Sequence, residues 1–279
     1  MTDYVLIHGA YHGSWCWTRV RRLLASEGHR VFTPTLTGLG ERSHLLSREV
    51  SLDTHIADVA NLLVWEELRD IVLVGHSYGG FVVRHVADRM PDRIRSLIYL
   101  DAFVPDNGKA VLDYVPDKGK KVRELAAAKG DGWKFPPPPA SFFAVNAADV
   151  DWVDRQCTMQ PLATFEAPAQ ISGVCDAIPN IGYIRARSYD SPHFDGFYAL
   201  AGERRWWREE FECGHDVMLD MPNELTALLL QRGVKRGPHS GPILAAEDKA
   251  NIRHEGRGLS VLAPRALFFQ EDDVAARLS

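Results

Sequence analysis

The sequence Gly-His-Ser-Tyr-Gly at residues 75–79 constrains the fold of this chain more than any other segment. A short run of Ile, Val and Leu at 71–74 precedes it, which is typical of a strand buried on both faces of a sheet. A helical pattern follows from 78 to 90. The two glycines are needed in so tight a turn because side chains there would collide with neighbouring backbone. The segment therefore predicts a strand, a turn and a helix, with Ser77 exposed at the carboxyl end of the strand.

Short apolar runs alternate with helical patterns through the first half of the chain, and the alternation returns near the end. This order is typical of a mostly parallel sheet with helices on both faces, so we expect an α/β protein. A length of 279 residues is enough for one large core. The predicted strands are 4–7, 31–33, 71–74, 94–100, 183–186 and 206–211, and the predicted helices are 15–27, 52–63, 78–90 and 221–231.

The alternation breaks down between residues 105 and 180, where consecutive prolines at 136–139 and many aromatic residues follow no strand rhythm. We interpret 105–180 as an insertion that lies over the sheet. Residues 1–104 and 181–233 then form the core. The tail at 234–279 contains two small apolar clusters among charged residues, Gly and Pro. We predict that it is a C-terminal extension and assign it no structure.

Composition and charge exclude several classes of function. Hydrophobic residues make up 46% of the chain and charged residues 25%, which is ordinary for a soluble globular protein. A net charge of −5 with scattered basic residues gives no electrostatic footprint for nucleic acid. No apolar run approaches the roughly 20 residues that span a bilayer, and the polar start lacks the layout of a signal peptide. We therefore expect a cytoplasmic protein that binds no membrane.

The four cysteines are far apart and form no Cys-x-x-Cys pair, which argues against a disulfide framework or a zinc site. His8 and His12 have a spacing found in metal sites, but no further ligands follow in order. We therefore expect no metal and no cofactor. The expected partner is a small neutral or apolar molecule, and a homodimer is compatible with the sequence.

A serine hydroxyl is a poor nucleophile until a base takes its proton, so a histidine should follow Ser77 in the chain. His215 is the best candidate, because it stands in Cys-Gly-His-Asp at 213–216, just after the last predicted strand and just before the last helix. The loop between them would carry the imidazole back over the serine. The other histidines fall in turns beside the site, in helical segments or in the tail.

The histidine needs a carboxylate that fixes its tautomer, and two residues are candidates. Asp190 follows a predicted strand by a few residues, in keeping with the chain order of serine, acid and histidine. Asp101 ends a very apolar strand on the same edge as the serine, where a buried carboxylate needs a partner. Asp216 is adjacent to His215 and is badly placed to reach its side chain. The residues leave Asp190 and Asp101 both open.

Two backbone N–H groups should hold the oxyanion that forms during acyl transfer. One belongs to Tyr78, the residue after the nucleophile, and Ala10 in the loop after the first strand is the best candidate for the other. Glycines in that loop let backbone approach a substrate. The residues predicted to bind substrate, either beside the serine or in the insertion, are Gly9, Tyr11, His76, Trp133, Phe142 and Phe143.

Three motifs resemble those of the α/β-hydrolase superfamily: Ile-His-Gly-Ala at 7–10 with His-Gly-Ser-Trp-Cys-Trp at 12–17, Gly-His-Ser-Tyr-Gly-Gly at 75–80, and Gly-His-Asp at 214–216. Residues 3–231 are most similar to plant methyl esterases and hydroxynitrile lyases and to their bacterial esterase relatives. The resemblance implies a helical cap over the active site, which fits the insertion at 105–180. It also points to Asp190, because the family carries its acid in the loop after the corresponding strand.

The lyase members of this group carry a threonine after the histidine of the first loop and a lysine after the catalytic histidine. This chain has Gly9 and Asp216 there, so the resemblance favours hydrolysis. We expect Ser77 to attack the carbonyl carbon of a small apolar or aromatic ester and to form an acyl-enzyme that water hydrolyses. The alternatives are hydrolysis of an amide, a carbamate or a lactone, cleavage of a hydroxynitrile, and a receptor that binds a small molecule without catalysis.

Overall fold

A computed structural model describes residues 1–233, and the predicted tail at 234–279 lies outside the described residues. The strands in chain order are β1 (Asp3–Ile7), β2 (Arg30–Phe32), β3 (Ile71–His76), β4 (Ile94–Leu100), β5 (Lys134–Phe135), β6 (Gln160–Pro161), β7 (Asn180–Ala186) and β8 (Trp207–Phe211). Six of them form one sheet in the order β2-β1-β3-β4-β7-β8, and all neighbours in it are parallel. β5 and β6 form a separate antiparallel pair.

Within the described residues at least one α-helix lies between each pair of consecutive strands. They are α1 (Thr18–Ser26), α2 (Leu52–Trp65), α3 (Gly79–Arg89), α4 (Val111–Tyr114), α5 (Pro116–Lys129), α6 (Val150–Gln156), α7 (Ala163–Glu166), α8 (Pro192–Glu203), α9 (Val217–Asp220) and α10 (Pro222–Arg232). Short 3₁₀ helices occupy Ser14–Trp17, Gly40–Leu45, Pro91–Arg93, Ala140–Phe143 and Val174–Ala177. None of the helices in this part of the chain is long and apolar enough to cross a membrane.

The sheet confirms the expected α/β class. Every residue of β3 and of β7 is buried, because helices cover both faces of the sheet at its centre. The edge strand β8 instead alternates between half-buried and exposed residues. Since parallel strands end at one edge, the turns that follow β1, β3, β4 and β7 all meet there.

All six predicted strands are present, with small shifts at their ends, but the sequence pattern predicted none of the helices α4 to α9 and neither of the strands β5 and β6. Helix α8 contains Gly196 and Gly202 and follows Ser191 at a proline, so its sequence resembles a turn. Strands β5 and β6 have two residues each, which is too short for a periodic pattern to show.

The segment between β4 and β7, residues 101–179, is called the inserted segment below. It contains α4 to α7 and the β5–β6 pair. Buried apolar residues of this segment, among them Phe103, Phe135 and Phe165, belong to the same hydrophobic cluster as the sheet. The inserted segment therefore packs on the sheet at the edge where the parallel strands end.

Candidate active site

The turn after β3 presents Ser77 at the carboxyl edge of the sheet. Ser77 has a φ of 51°, in the left-handed region that side chains rarely adopt, and it remains half-buried. A Cβ at Gly75 would lie 2.8 Å from the carbonyl oxygen of Gly79, and a Cβ at Gly79 would lie 2.8 Å from that of His8. Glycine is therefore required at both positions, and α3 begins beside the serine with its N-terminus.

His215 lies in the loop between β8 and α9, and contacts from other elements fix its position. Its backbone N–H donates to the carbonyl oxygen of Phe143 at 2.8 Å. Its ring stacks on Phe143 and on Phe194, with ring centroids 5.7 Å and 5.3 Å away. Only 2% of the residue is exposed, so the imidazole has little freedom to turn.

Asp101, the residue after β4, holds the imidazole of His215. Its Oδ2 accepts a hydrogen bond from Nδ1 of His215 at 2.6 Å, and Asp101 is fully buried. The backbone N–H of Asp101 donates to Ile184 of β7 at 2.7 Å, which fixes this residue at the sheet edge. Because an ionised carboxylate only accepts hydrogen bonds, Nδ1 is the donor, and Nε2 is left to act as a base.

Asp190, the acid that the resemblance favours, lies elsewhere. Its side chain is exposed in the loop between β7 and α8, and it forms no ion pair with His215. Its neighbour Tyr189 turns inward, with its ring 4.6 Å from that of His215. The structure therefore brings Asp101, and not Asp190, to the histidine, because the loop after β7 contributes an aromatic wall at that place.

Ser77 and His215 line the same cavity, which has a volume of about 610 Å³. No hydrogen bond joins the two side chains in this structure. In proteins without bound substrate such bonds are often long or poorly aligned, and they tighten when the substrate binds. The cavity thus contains a half-buried hydroxyl and an oriented imidazole, the two groups that acyl transfer to a serine requires.

The loop after β1 approaches the serine closely. A Cβ at Gly9 would lie 2.9 Å from the Cβ of Ser77, so a larger residue would have to displace its neighbours. The backbone N–H groups of Ala10 and Tyr78 donate no hydrogen bond to the described residues, and both residues line the cavity. Two such N–H groups beside a serine are suited to hold an oxyanion.

The inserted segment holds this loop in place through Tyr11. Tyr11 has a φ of 67°, an unfavourable value for a residue with a side chain. Its N–H donates to Oε1 of Gln160 at 3.0 Å, and its carbonyl oxygen accepts from the N–H of Thr158 at 2.9 Å. Gln160 is fully buried and donates in turn to Thr164 at 2.7 Å. These contacts balance the strain at Tyr11.

The cavity walls combine predicted and unpredicted residues. Five of the six predicted binding residues line it: Gly9, Tyr11, His76, Phe142 and Phe143. The aromatic and histidine side chains that the sequence reasoning did not assign to the cavity are His12, Phe103, Phe165, Tyr189, His193 and Phe194. Within the described residues no Asp or Glu lines the cavity; its walls are largely aromatic and aliphatic and also include Lys121 and Lys129.

Trp133, unlike the other five residues predicted to bind substrate, does not line the cavity. Its ring lies 4.4 Å from Nζ of Lys134 and 5.7 Å from the guanidinium of Arg48. It is half-buried, and its ring packs against these two cations. Phe135 of β5 lines the cavity in its place.

A second buried pair of a histidine and a carboxylate lies beside the first. Oδ2 of Asp216 is 3.1 Å from Nε2 of His12, and Nδ1 of His12 is 2.7 Å from the carbonyl oxygen of Ala10. Both partners only accept hydrogen bonds, so both ring nitrogens of His12 carry protons and the ring is charged. Asp216 follows His215 directly in the sequence, yet its hydrogen bond goes to His12.

The pKa values of this pair move in opposite directions. Burial alone would lower the pKa of His12, but the charge of Asp216 and its hydrogen bonds outweigh burial and raise it. Burial alone would raise the pKa of Asp216, but His12 outweighs it and holds the pKa well below its usual range. The pair is therefore ionised around neutral pH.

Burial keeps two further histidines beside the site, His76 and His8, neutral. His76 is 0% exposed, and burial together with the positive charge of neighbouring histidines lowers its pKa well below the usual value. Nε2 of His76 donates to the carbonyl oxygen of His215 at 3.1 Å. Burial lowers the pKa of His8 to about 3, and its Nε2 accepts from the N–H of Leu36 at 3.0 Å. These two rings support the loops around Ser77.

The chain belongs to the α/β-hydrolase family: the model of that family matches residues 4–228. A Nocardioides sp. (strain SG-4G) protein named carbendazim hydrolyzing esterase is 44% identical over 242 residues, which cover 84% of this chain and all of that protein. An Arabidopsis thaliana α-hydroxynitrile lyase is 36% identical over 104 residues, but the match spans only 37% of this chain and 40% of the lyase.

Comparison with solved structures supports the same fold. An extracellular α/β-hydrolase from a Paenibacillus species superposes with a TM-score of 0.74 at 24% sequence identity, and covers 84% of this chain and all of its own. That hydrolase is described as similar in structure and function to tobacco salicylic acid binding protein 2. The resemblance to the α/β-hydrolase superfamily that the motifs indicate is therefore confirmed.

Proposed function

We propose that this protein hydrolyses carboxylic esters of small apolar or aromatic compounds through an acyl-enzyme on Ser77. The observation that carries the proposal is the buried 2.6 Å hydrogen bond between Asp101 and His215, at the wall of a cavity that also contains Ser77. A relative that matches this chain at 44% identity over its whole length is an esterase by name, which supports the same reaction.

In the first half of the reaction, Nε2 of His215 takes the proton of the Ser77 hydroxyl as its oxygen attacks the carbonyl carbon. The N–H groups of Ala10 and Tyr78 stabilise the oxyanion, because they lie beside the serine without other partners in the described residues. His215 then returns the proton to the leaving alcohol, which departs and leaves the acyl group on the serine.

In the second half, water enters in place of the alcohol. His215 takes a proton from this water, which attacks the acyl carbon, and the acid leaves as the proton returns to Ser77. Asp101 stabilises the imidazolium that forms in each half, and its hydrogen bond keeps Nε2 directed to the cavity. Asp101 is therefore the proposed acid, in preference to Asp190, which is exposed and away from His215.

The walls of the cavity favour aromatic or apolar groups on the substrate. Within the described residues they contain no carboxylate, and aromatic side chains surround the serine. A carbamate is the second candidate, because the same attack on a carbonyl carbon serves both classes and the relative of 44% identity is named for carbendazim, a methyl carbamate. A hydroxynitrile is disfavoured, since Gly9 and Asp216 stand where lyases of this group carry Thr and Lys.

The test is a series of p-nitrophenyl esters with short, long and aromatic acyl groups, with carbendazim run in parallel. Ser77→Ala should lower kcat by about 10⁴-fold or more. Asp101→Asn should lower it by about 10³- to 10⁴-fold, because the imidazolium loses its partner. Asp190→Asn is the matched control, and its kcat should stay within about twofold of wild type, as expected for an exposed residue.

Each outcome separates two hypotheses. Retained activity in Ser77→Ala contradicts the acyl-enzyme. Loss of activity in Asp190→Asn with an active Asp101→Asn moves the acid to Asp190. Turnover of carbendazim without turnover of any ester assigns the protein to carbamates, and binding of an ester without turnover by wild type assigns it to the receptor class.

A further inference from the structure

Arg185, at the end of β7, is a buried arginine that the reaction as described does not use. It is 1% exposed, although an arginine is almost never buried without partners. Its guanidinium donates to Oδ1 of Asp101 at 2.9 Å, to the carbonyl oxygen of Tyr189 at 2.8 Å and to Oδ1 of Asp195 at 2.9 Å. A further bond goes to the carbonyl oxygen of Ala186. All arms of the guanidinium are thus engaged.

These contacts divide the carboxylate of Asp101 between two partners. Oδ1 accepts from the guanidinium of Arg185 and from the N–H of Ala186 at 3.1 Å, while Oδ2 faces His215. Two donors on one oxygen fix the plane of the carboxylate. The other oxygen is thereby held towards Nδ1 of the imidazole.

The guanidinium also competes with the imidazolium for one negative charge. Asp101 is fully buried, so it interacts strongly with both. With Arg185 present, the carboxylate is already paired before His215 takes a proton. We propose, on the basis of the function argued above, that Arg185 is a positioning residue that orients Asp101 towards His215 and takes a share of its charge, which extends the action of His215 as a base to lower pH.

The other titratable groups that face His215 add little net charge, so Asp101 and Arg185 are the charges that act on it. Asp216 and His12 are paired with each other, so their charges largely cancel. His76, whose ring centroid is 4.5 Å away, is neutral, because burial lowers its pKa well below the usual value. Burial raises the pKa of Tyr189, which therefore remains a neutral phenol.

The sign of the effect follows from the charges. When Arg185 is replaced by Gln, the whole charge of Asp101 acts on His215 and favours the imidazolium. The acidic limb of the profile of kcat/KM against pH should then move to higher pH by about one unit. Arg185→Lys keeps the charge and loses the forked geometry, so its limb should stay near that of wild type while kcat falls.

A substitution at Asp195, the other carboxylate that pairs with Arg185, tests the proposal with a smaller perturbation. Asp195 is half exposed on the surface and binds both Arg185 and Arg187, whereas Glu210 binds Arg187. Asp195→Asn leaves Asp101 as the one carboxylate of the described residues that pairs with Arg185, so the limb should move to lower pH, by less than one unit. Glu210→Gln is the matched control, because it removes a nearby surface charge without touching Arg185.

The experiment measures kcat and KM from pH 4.5 to 9 at constant ionic strength with a neutral p-nitrophenyl ester, for wild type and these four variants. Circular dichroism confirms that each variant is folded. We expect the acidic limb of kcat/KM to lie at higher pH in Arg185→Gln and at the wild-type pH in Arg185→Lys. It should lie at lower pH in Asp195→Asn and should not move in Glu210→Gln. Values of KM should change little, because Arg185 does not line the cavity.

A folded Arg185→Gln with an unmoved limb overturns the proposal, as does a limb that moves equally in Arg185→Gln and Arg185→Lys. If Arg185→Gln does not fold, the Asp195→Asn variant tests the proposal instead. An acidic limb of Asp195→Asn at the same pH as that of Glu210→Gln then overturns it. Failure of the proposed function is distinguishable, because it appears as ester hydrolysis by Ser77→Ala, whatever the pH profile of the Arg185 variants.

Discussion

Replacement of Asp216 by Asn should destabilise the fold while leaving most of the catalysis intact. Asp216 is fully buried, and its Oδ2 is 3.1 Å from Nε2 of His12. It stands beside His215 in sequence but binds neither its imidazole nor Ser77 in this structure. Asp101→Asn should show the reverse pattern, a large loss of kcat, because Asp101 is the residue that holds the imidazole.

The magnitude follows from the contacts of the two oxygens of Asp216. Asn still accepts from His12, but a charge-assisted bond of about 1.5–3 kcal/mol becomes a neutral one of about 0.5–1.5 kcal/mol. Its NH₂ group replaces Oδ1, which has no hydrogen bond and lies 3.7 Å from Nε2 of His76. A buried donor without an acceptor costs about 1–3 kcal/mol, so the free energy of unfolding should fall by about 2–4 kcal/mol.

The loss should depend on pH in a definite direction. The pKa of Asp216 is depressed in the fold, so its contribution is present above about pH 4 and is lost as the pH falls through the folded value. The pKa of His12 is raised, so its contribution is complete below about pH 6.5 and is lost as the pH rises through the folded value. The difference between wild type and Asp216→Asn should therefore be largest between about pH 4 and 6.5.

Urea unfolding followed by circular dichroism at pH 5.5 and pH 9 measures this difference. Asp190→Asn is the control, because its side chain is exposed, and its midpoint should not move. A loss below about 1 kcal/mol at pH 5.5 refutes the charged pair, since it is less than the weakest of the expected terms. A loss that grows towards pH 9 refutes the assignment of the charge to His12.

Two further predictions concern the loop after β1 and the packing of α3. Gln160→Leu removes the acceptor for the N–H of Tyr11, so the loop should relax and kcat for an ester should fall about tenfold, with little change in KM. Steady-state kinetics measure this. A kcat at the wild-type value would show that the loop keeps its conformation without Gln160. Gly80→Ala places a Cβ 2.0 Å from the carbonyl oxygen of Phe103 and should cost about 2 kcal/mol or more in urea unfolding. Gly196→Ala, with nothing within 4 Å of its Cβ, should be neutral or stabilising, and equal losses in both variants would contradict the packing argument.

The strand–turn–helix unit around Ser77 could be predicted because local sequence determines it. A fully apolar strand must be buried on both faces, and the two glycines of the turn are required by backbone contacts within a few residues. The same holds for α2, predicted at 52–63, where Ser51 precedes the helix and its N–H donates to Oγ1 of Thr54 at 3.2 Å. In such segments the chain neighbours supply most of the interactions that decide the structure.

The identity of the acid could not be predicted in this way, because Asp101 and Asp190 both follow strands that end at the same edge. The choice depends on which way each loop turns, and distant residues decide that. The sequence does contain one signal that favours Asp101. Arg185 stands in an otherwise apolar strand whose residues are all buried, and a buried arginine requires a buried anion within reach. Of the two candidates, only Asp101 directly follows the neighbouring strand, β4.

Residue type was likewise insufficient to identify the cavity walls. Trp133 and Phe135 are both aromatic and two positions apart, yet Phe135 lines the cavity while Trp133 lies against Lys134 and Arg48. The difference arises from β5, which is fixed by its pairing with β6, and thus by contacts across the inserted segment. Aromatic content therefore predicted an apolar cavity but not which of the aromatic residues form it.

The position of Asp101 has a consequence for the loop after β7. The carboxylate that holds His215 follows β4, so the acid of the loop after β7, Asp190, stays exposed. That loop and the start of α8 supply cavity wall instead, through Tyr189, His193 and Phe194. Arg185 joins the two, since it donates both to Asp101 and to the carbonyl oxygen of Tyr189. Substitutions that enlarge the wall at Phe194 should therefore change which acyl groups are accepted while the Asp101–His215 pair stays in place, whereas substitutions at Arg185 should affect both.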